Sequence, residues 1–151
     1  DIKVRSIKNQ LNLEEVKVIA KEVDIILDCS DNFETRYALN KIAYDLKLPL
    51  VSGAAIKFDG QVSVFDFRAK TSPCYNCLFP SADEEQNLKC SDHGVFSPLV
   101  GLVGSIQAGE AIKVLLNIGT SLTGKLLLIN HKDTNFKTLK IQKDNLCDIC
   151  S

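Results

Sequence analysis

Two residue pairs carry the clearest chemistry in this chain of 151 residues: Cys74-Tyr75-Asn76-Cys77 and Cys147-Asp148-Ile149-Cys150. Zinc takes four soft ligands at tetrahedral corners about 2.3 Å from the metal, and a two-residue spacer lets one turn supply two thiolates. One such knuckle is a weak signal. A pair of them, even sixty-nine residues apart, predicts a structural zinc site in which all four corners are filled and none is left for water. Its work would be to tie an irregular loop to the chain end, contributing on the order of 10 kcal/mol to folding. The competing readings are a thioredoxin-type redox pair, or four unrelated thiols. A redox pair would begin a helix after a strand, which neither pair is expected to do.

The segment Asp28-Cys29-Ser30-Asp31-Asn32 stands where an apolar run stops and a helix starts. In open α/β sheets, ligands lie in the crevice beyond the carboxyl ends of the strands. A carboxylate there is placed to hold Mg²⁺ on a phosphate, and Asp31 is the candidate. A second reading stays open on spacing alone: Asp31-Asn32-Phe33-Glu34 matches a helix-capping pattern, so Asp31 would satisfy helix amides. Cys90 lies between Lys89 and Ser91 with His93 close by. It is expected to be the most alkylation-prone thiol, because Cys29 should end a buried strand and the knuckle thiols should be metal-bound.

These groups need elements to position them. Asn12 and Glu15 form a start signal for a helix running to about Lys21. Val23–Asp28 reads as a strand covered on both faces. Leu39, Ile42, Ala43 and Leu46 share one face of a helix from about Asn32 to Lys47, stopped by Pro49. Leu50-Val51-Ser52 returns to strand. The small residues Gly53-Ala54-Ala55 let backbone or ligand come close. Gln61–Phe67 is a further strand after a turn at Phe58-Asp59-Gly60. Arg68–Phe96 holds three of the six cysteines with little periodicity, a long loop of the functional kind. Ser97-Pro98 then opens a helix, Ser as cap and Pro at the first position, with Gly119 past its end. Being apolar nearly all round, this helix is expected to be central and buried, its row of Gly101, Gly104 and Ala108 meeting another backbone. Strands at Lys125–Asn130 and Phe136–Ile141 finish the chain. The order implies an α/β sheet with an antiparallel extension.

Composition narrows the class. The chain is 45% hydrophobic and 25% charged with mean hydropathy +0.03, which excludes a disordered chain. Its length suits one domain, able to bury roughly 70% of its unfolded surface. Eighteen basic against nineteen acidic residues give a net charge of −1, and no basic block marks a nucleic-acid partner. No apolar run is read as approaching the ~20 residues of a membrane span, and no leader is recognised, so no membrane is expected. Six cysteines then suggest a reducing, cytoplasmic setting rather than a secreted disulfide domain. The chain starts at Asp1, has no methionine, and opens on the strand-like alternation Ile2-Lys3-Val4-Arg5. It reads as a piece of a longer polypeptide whose front is missing, and any function inferred from it would belong to that parent.

Four ordered motifs carry a resemblance. They are Leu27-Asp28-Cys29-Ser30-Asp31-Asn32, Pro49-Leu50-Val51-Ser52-Gly53-Ala54-Ala55, Pro73-Cys74-Tyr75-Asn76-Cys77-Leu78 and the run Pro98 to Ala108, completed by the terminal cysteine pair. The whole chain resembles the ThiF/MoeB/HesA family, bacterial relatives of ubiquitin-activating enzymes. The resemblance implies a Rossmann-like α/β sheet with an antiparallel extension, zinc-stabilised and lacking its nucleotide-loop portion. Residues 1–67 would be its strands and helices, 68–97 a zinc knuckle and crossover loop, and 98–151 a buried helix, two strands and the second knuckle. It implies ATP-Mg²⁺-dependent adenylation of the C-terminal Gly-Gly of a small ubiquitin-like sulfur carrier, for thiamine or molybdopterin biosynthesis, by a homodimer with one zinc per subunit. Cys74, Cys77, Cys147 and Cys150 match the zinc ligands, Asp31 the nucleotide-magnesium aspartate, and Cys90 a loop cysteine that in some members bonds covalently to the carrier. The family's glycine-rich nucleotide loop, its ribose-binding acid and its phosphate-gripping arginines and lysine have no counterpart in these residues, so the chain alone is expected to be inactive. A non-catalytic zinc-stabilised docking module for a ubiquitin-like partner is the alternative.

Overall fold

The computed structural model describes residues 1–80 and 94–151; Cys90 and His93 lie outside the described residues. The first helix, α1 (Leu13–Ala20), starts as its sequence predicts. Asn12 Oδ1 accepts from the Glu15 amide at 3.0 Å, and Glu15 Oε2 accepts from the Asn12 amide at 2.9 Å, so two end donors are satisfied reciprocally. Next come β1 (Ile26–Asp28), α2 (Phe33–Leu46) and β2 (Pro49–Ile56), a parallel strand-helix-strand unit with Leu27 opposite Val51 and Asp28 opposite Ser52. The strand β3 (Asp59–Asp66) folds back antiparallel on β2. A single helical turn, α3 (Tyr75–Leu78), and the long α4 (Ser97–Leu116) precede the antiparallel β4 (Lys125–Asn130) and β5 (Asn135–Lys140). The sheet order is β1-β2-β3-β4-β5, a mixed α/β sheet with one parallel pair and an antiparallel extension.

Alternation along β2 and β3 sorts the core into two layers. Leu50, Phe65 and Phe67 pack with Ala43 of α2, Tyr75 and the cysteine pairs. Val51, Val62 and Val64 pack on the other face against Leu99, Val103 and Val114 of α4. Each such side chain stabilises the fold by about 1.5–3 kcal/mol when fully buried. The approach of α4 is close: a Cβ on Gly60 would lie 2.9 Å from both Leu99 Cδ1 and Val103 Cγ2.

Five expectations fail for identifiable reasons. Ile2-Lys3-Val4-Arg5 forms no strand, with Ile2 and Val4 93% and 87% exposed; among the described residues no neighbouring strand takes up its backbone groups. Val23–Asp28 shortens to β1, and Leu27 is 40% exposed, because α4 packs on β2 and β3 and leaves that face of β1 uncovered. The third concerns α4, which is buried on one face only. Its Gln107, Glu110 and Val114 are covered, whereas Ile112, Leu115 and Leu116 are exposed, and Gly101 and Gly104 have nothing within 4 Å of a built Cβ. The small-residue row therefore faces outward. Phe96 rather than Ser97 is the residue before the first turn. Finally, with 20 residues and mean hydropathy 1.5, α4 is long and apolar enough to cross a membrane by length and composition. Here its inner face lies on the sheet and buries Gln107 and Glu110.

Packing on α4 makes two glycines respond oppositely. Gly60→Ala should destabilise the chain by about 1–3 kcal/mol through overpacking. Gly104→Ala meets open space inside a helix and should stabilise it by about 0.5–1 kcal/mol. Urea melts of the two variants check the order, and equal effects would contradict the close approach at Gly60.

Candidate functional site

The cysteine pairs meet. Cys74 Sγ lies 3.5 Å from Cys147 Sγ and 3.9 Å from Cys77 Sγ, and Cys77 Sγ lies 3.3 Å from Cys150 Sγ. All four sulfurs fall within 4.8 Å of one another. A tetrahedron with metal–sulfur arms of about 2.3 Å has edges of about 3.8 Å, so the cluster fits one metal ion. Cys74, Cys147 and Cys150 are buried. Burial pushes the Cys74 thiol up to about 11 and raises that of Cys150. Against its own burial, Cys147 is held low by the amides of Ile149 and Cys150. A bound cation relieves this burden by favouring thiolates. Contrary to expectation, the first knuckle does open a helical turn, since Cys74 is the residue that precedes α3. What distinguishes it from a lone redox pair is the second pair of sulfurs facing it.

The knuckle is fastened to α2. Asn40, fully buried, accepts from the Tyr75 amide at 2.9 Å and donates to Asn76 Oδ1 at 3.0 Å. Tyr37 donates its hydroxyl hydrogen to the Phe79 carbonyl at 3.1 Å. The Tyr75 ring packs edge-on against Tyr37 and Phe65. Burial pushes its phenol up to about 12, opposed by the nearby Arg36 charge.

One turn earlier on α2, Arg36 is buried beside Asp28 at the end of β1. Its Nη1 lies 3.4 Å from Asp28 Oδ2 and donates to Ser52 Oγ at 3.4 Å and to the Gly53 carbonyl at 3.0 Å; its Nη2 donates to the Ser30 carbonyl. Asp28 Oδ1 in turn accepts from the amide and hydroxyl of Ser30, at 3.0 and 2.6 Å. From the opposite layer, Gln107 Nε2 donates to the Asp28 carbonyl at 2.8 Å and the Val51 carbonyl at 3.3 Å. Gly53 permits this: a Cβ there would lie 2.3 Å from Gln107 Cδ. The close approach expected at Gly53-Ala54-Ala55 is thus taken at Gly53 by a side chain of the fold itself.

The two readings of Asp31 separate here. Asn32, not Asp31, caps α2, its Oδ1 accepting from the Thr35 amide at 2.8 Å. Asp31 is exposed and touches the neighbouring Asn32 Nδ2 at 3.4 Å. It borders two cavities. One, of about 300 Å³, is lined by Asp31, Phe33, Arg36, Ala54, Gly60 and Tyr75 among others. The second, of about 760 Å³, opens between the starts of α1 and α2, with Asn12, Asp31 and Thr35 on its walls. Cys29 is exposed, not buried, with its thiol donating to Gln107 Oε1 at 3.6 Å; it lies just past Asp28, the last residue of β1. Burial therefore gives no ground for ranking Cys90 above Cys29 in reactivity.

Reading by periodicity missed Arg36, Asn40, Ser52 and Gln107. The signal was present for three of them. Arg36 and Asn40 share a helical face with Leu39 and Ala43, and Gln107 sits four residues from both Val103 and Ala111, so each was placed to be buried.

The chain belongs to the ThiF family, whose model matches residues 1–149. It is 40% identical to a sulfur carrier protein adenylyltransferase of Thermus thermophilus, over 99% of this chain and 56% of that protein. It is 41% identical to a molybdopterin-synthase adenylyltransferase of Salmonella typhimurium, over 83% of this chain and 50% of that protein. With an adenylyltransferase and sulfurtransferase MOCS3 of Caenorhabditis briggsae it shares 42% identity over 87% of this chain and 33% of that protein. The chain thus spans between a third and somewhat over half of these curated relatives. Among solved structures, the microcin C7 biosynthetic enzyme MccB bound to N-formylated MccA superposes with TM-score 0.78 at 16% identity, over 95% of this chain and 45% of that one, a likeness of fold.

With metal bound, Cys29 should be the described cysteine that reacts with iodoacetamide, and the four cluster thiols should join it only after chelation. Cys150→Ser should lower metal content and destabilise the chain by several kcal/mol, since three thiolates then lack a closed site. Labelling of the cluster before chelation, read by peptide mass spectrometry, would contradict the assignment.

Proposed function

We propose that this chain is the metal-holding and carrier-facing portion of an ATP-dependent adenylyltransferase acting on the C-terminal Gly-Gly of a small ubiquitin-like sulfur carrier, for thiamine or molybdopterin biosynthesis. The reading is supported by family membership, by the adenylyltransferase names of relatives at 40–41% identity, and above all by one observation. The Asp31 carboxylate, relieved of capping by Asn32, borders a cavity beyond the end of β1. That is where nucleotides sit in doubly wound α/β sheets, and in this reading the β1-α2-β2 unit is the flank of such a Rossmann-like sheet.

The residues have separate tasks. Asp31 would hold Mg²⁺, which neutralises phosphate charge when bound. Arg36 and Tyr75 form the inner wall of the cavity, and the small side chain of Ala54 leaves room there for a narrow chain such as a glycine tail. Zinc would be the metal of the four cysteines, holding the segment after β3 against the chain end and so keeping Tyr75 on the cavity wall. Cys90 would supply the loop thiol that bonds to the carrier. A homodimer in the cytoplasm completes the proposal.

In a parent enzyme carrying a nucleotide loop, Asp31→Ala should reduce carrier-dependent pyrophosphate exchange by orders of magnitude and leave the melting temperature nearly unchanged. Asn32→Ala should do the reverse, costing about 1 kcal/mol of stability through the lost cap. Full exchange activity in Asp31→Ala would sink the reading. This chain by itself should show no pyrophosphate exchange, because it presents no glycine-rich turn to cradle phosphates; activity in the isolated chain would require a different nucleotide site.

A further inference from the structure

Asp31 has a place but little that holds it. The contact its carboxylate makes is with the side chain of its neighbour Asn32, at 3.4 Å, so its position is set by the backbone of the loop that carries it. Arg36 grips that backbone. Its side chain is 7% exposed and its charge is balanced by Asp28, itself 1% exposed. From this seat the guanidinium donates to the Ser30 carbonyl on the loop and to the Gly53 carbonyl on β2, 3.0 Å away. Asp28 closes the arrangement by accepting from both the amide and the hydroxyl of Ser30. The loop is therefore held from inside the molecule, one residue before Asp31.

We infer that Arg36 is the positioning residue of Asp31: its planar fork clamps Ser30 to β2 and thereby fixes where the Asp31 carboxylate meets the cavity. A lysine would retain the charge opposite Asp28, but a single ammonium on a flexible stem does not reproduce a rigid fork aimed at two carbonyls. The task of Asp31 rests on the adenylyltransferase reading; the clamp itself does not.

Hydrogen exchange by peptide mass spectrometry on the metal-loaded chain tests the clamp. Arg36→Lys should speed exchange in residues 29–33 by about tenfold or more, while amides of the β2–β3 ladder change by less than about twofold. Ser30→Ala, which leaves the buried ion pair intact, should give a smaller rise confined to the same segment. A rise spread evenly over the chain, or none in the loop, overturns the inference. If Arg36→Lys does not fold, the double variant Asp28→Asn with Arg36→Met, which leaves no buried charge, takes its place: a confined rise supports the clamp, and no rise overturns it. In the parent enzyme, Arg36→Lys should raise the Mg²⁺ concentration for half-maximal pyrophosphate exchange by about tenfold, with activity recovering at high Mg²⁺. A loss of turnover that is the same at every Mg²⁺ concentration counts against it. A wild-type parent without adenylation, in which the loop still responds to Arg36→Lys, would overturn the functional reading and leave the clamp standing.

Discussion

Burying a carboxylate and a guanidinium together leaves little freedom to whatever surrounds them. Removing one partner of such a pair costs about 3–5 kcal/mol, because the other is left charged and unpaired. The seat of Asp28 and Arg36 is accordingly built from every layer. β1 supplies the acid and α2 the base, while β2 gives Ser52 and the Gly53 carbonyl. Gln107 reaches from α4 to the sheet to hold the Asp28 carbonyl. The parallel register that sets Asp28 opposite Ser52 is the one that lets this network close. No buried side-chain nitrogen or oxygen among the described residues is left without a partner.

The cysteine cluster depends on the same helix. Asn40, one turn beyond Arg36, fixes the Tyr75 amide, and Tyr75 is both the neighbour of Cys74 and a wall of the cavity that Asp31 borders. A metal ion at the four sulfurs would thus brace one side of the cavity, while the buried ion pair braces the other. The cysteine cluster and the cavity that Asp31 borders are joined through a single face of α2. This is why polar residues occupy positions on it that apolar periodicity would assign to the core.

The outer surface of the molecule follows a different rule. α4 turns Leu99, Val103 and Val114 to the sheet and leaves Ile112, Leu115 and Leu116 to the outside. A helix that is apolar all round has twice the face that one sheet can cover. Among the described residues nothing lies over that second face, just as nothing covers Leu27 of β1.

Much of this was legible in the sequence. Capping at Asn12, the break at Pro49 and the strands read from Lys125 and Phe136 come from interactions spanning a few residues, which spacing along the chain records directly; the meeting of the two Cys-x-x-Cys motifs was legible from residue type, because four soft ligands make one site. Asp31 was legible as a candidate but not as a choice: sequence placed two capping-competent residues side by side, and only the backbone at Asn32, extended before the first turn, gave the cap to one and freed the other. Arg36, Asn40 and Gln107 joined the candidate site only through the partners that packing brought to them, because a buried polar group is defined by the partner that satisfies it. Helical spacing could mark all three as buried, but their partners lie 8, 35 and 79 residues away along the chain, and only packing brings them within reach.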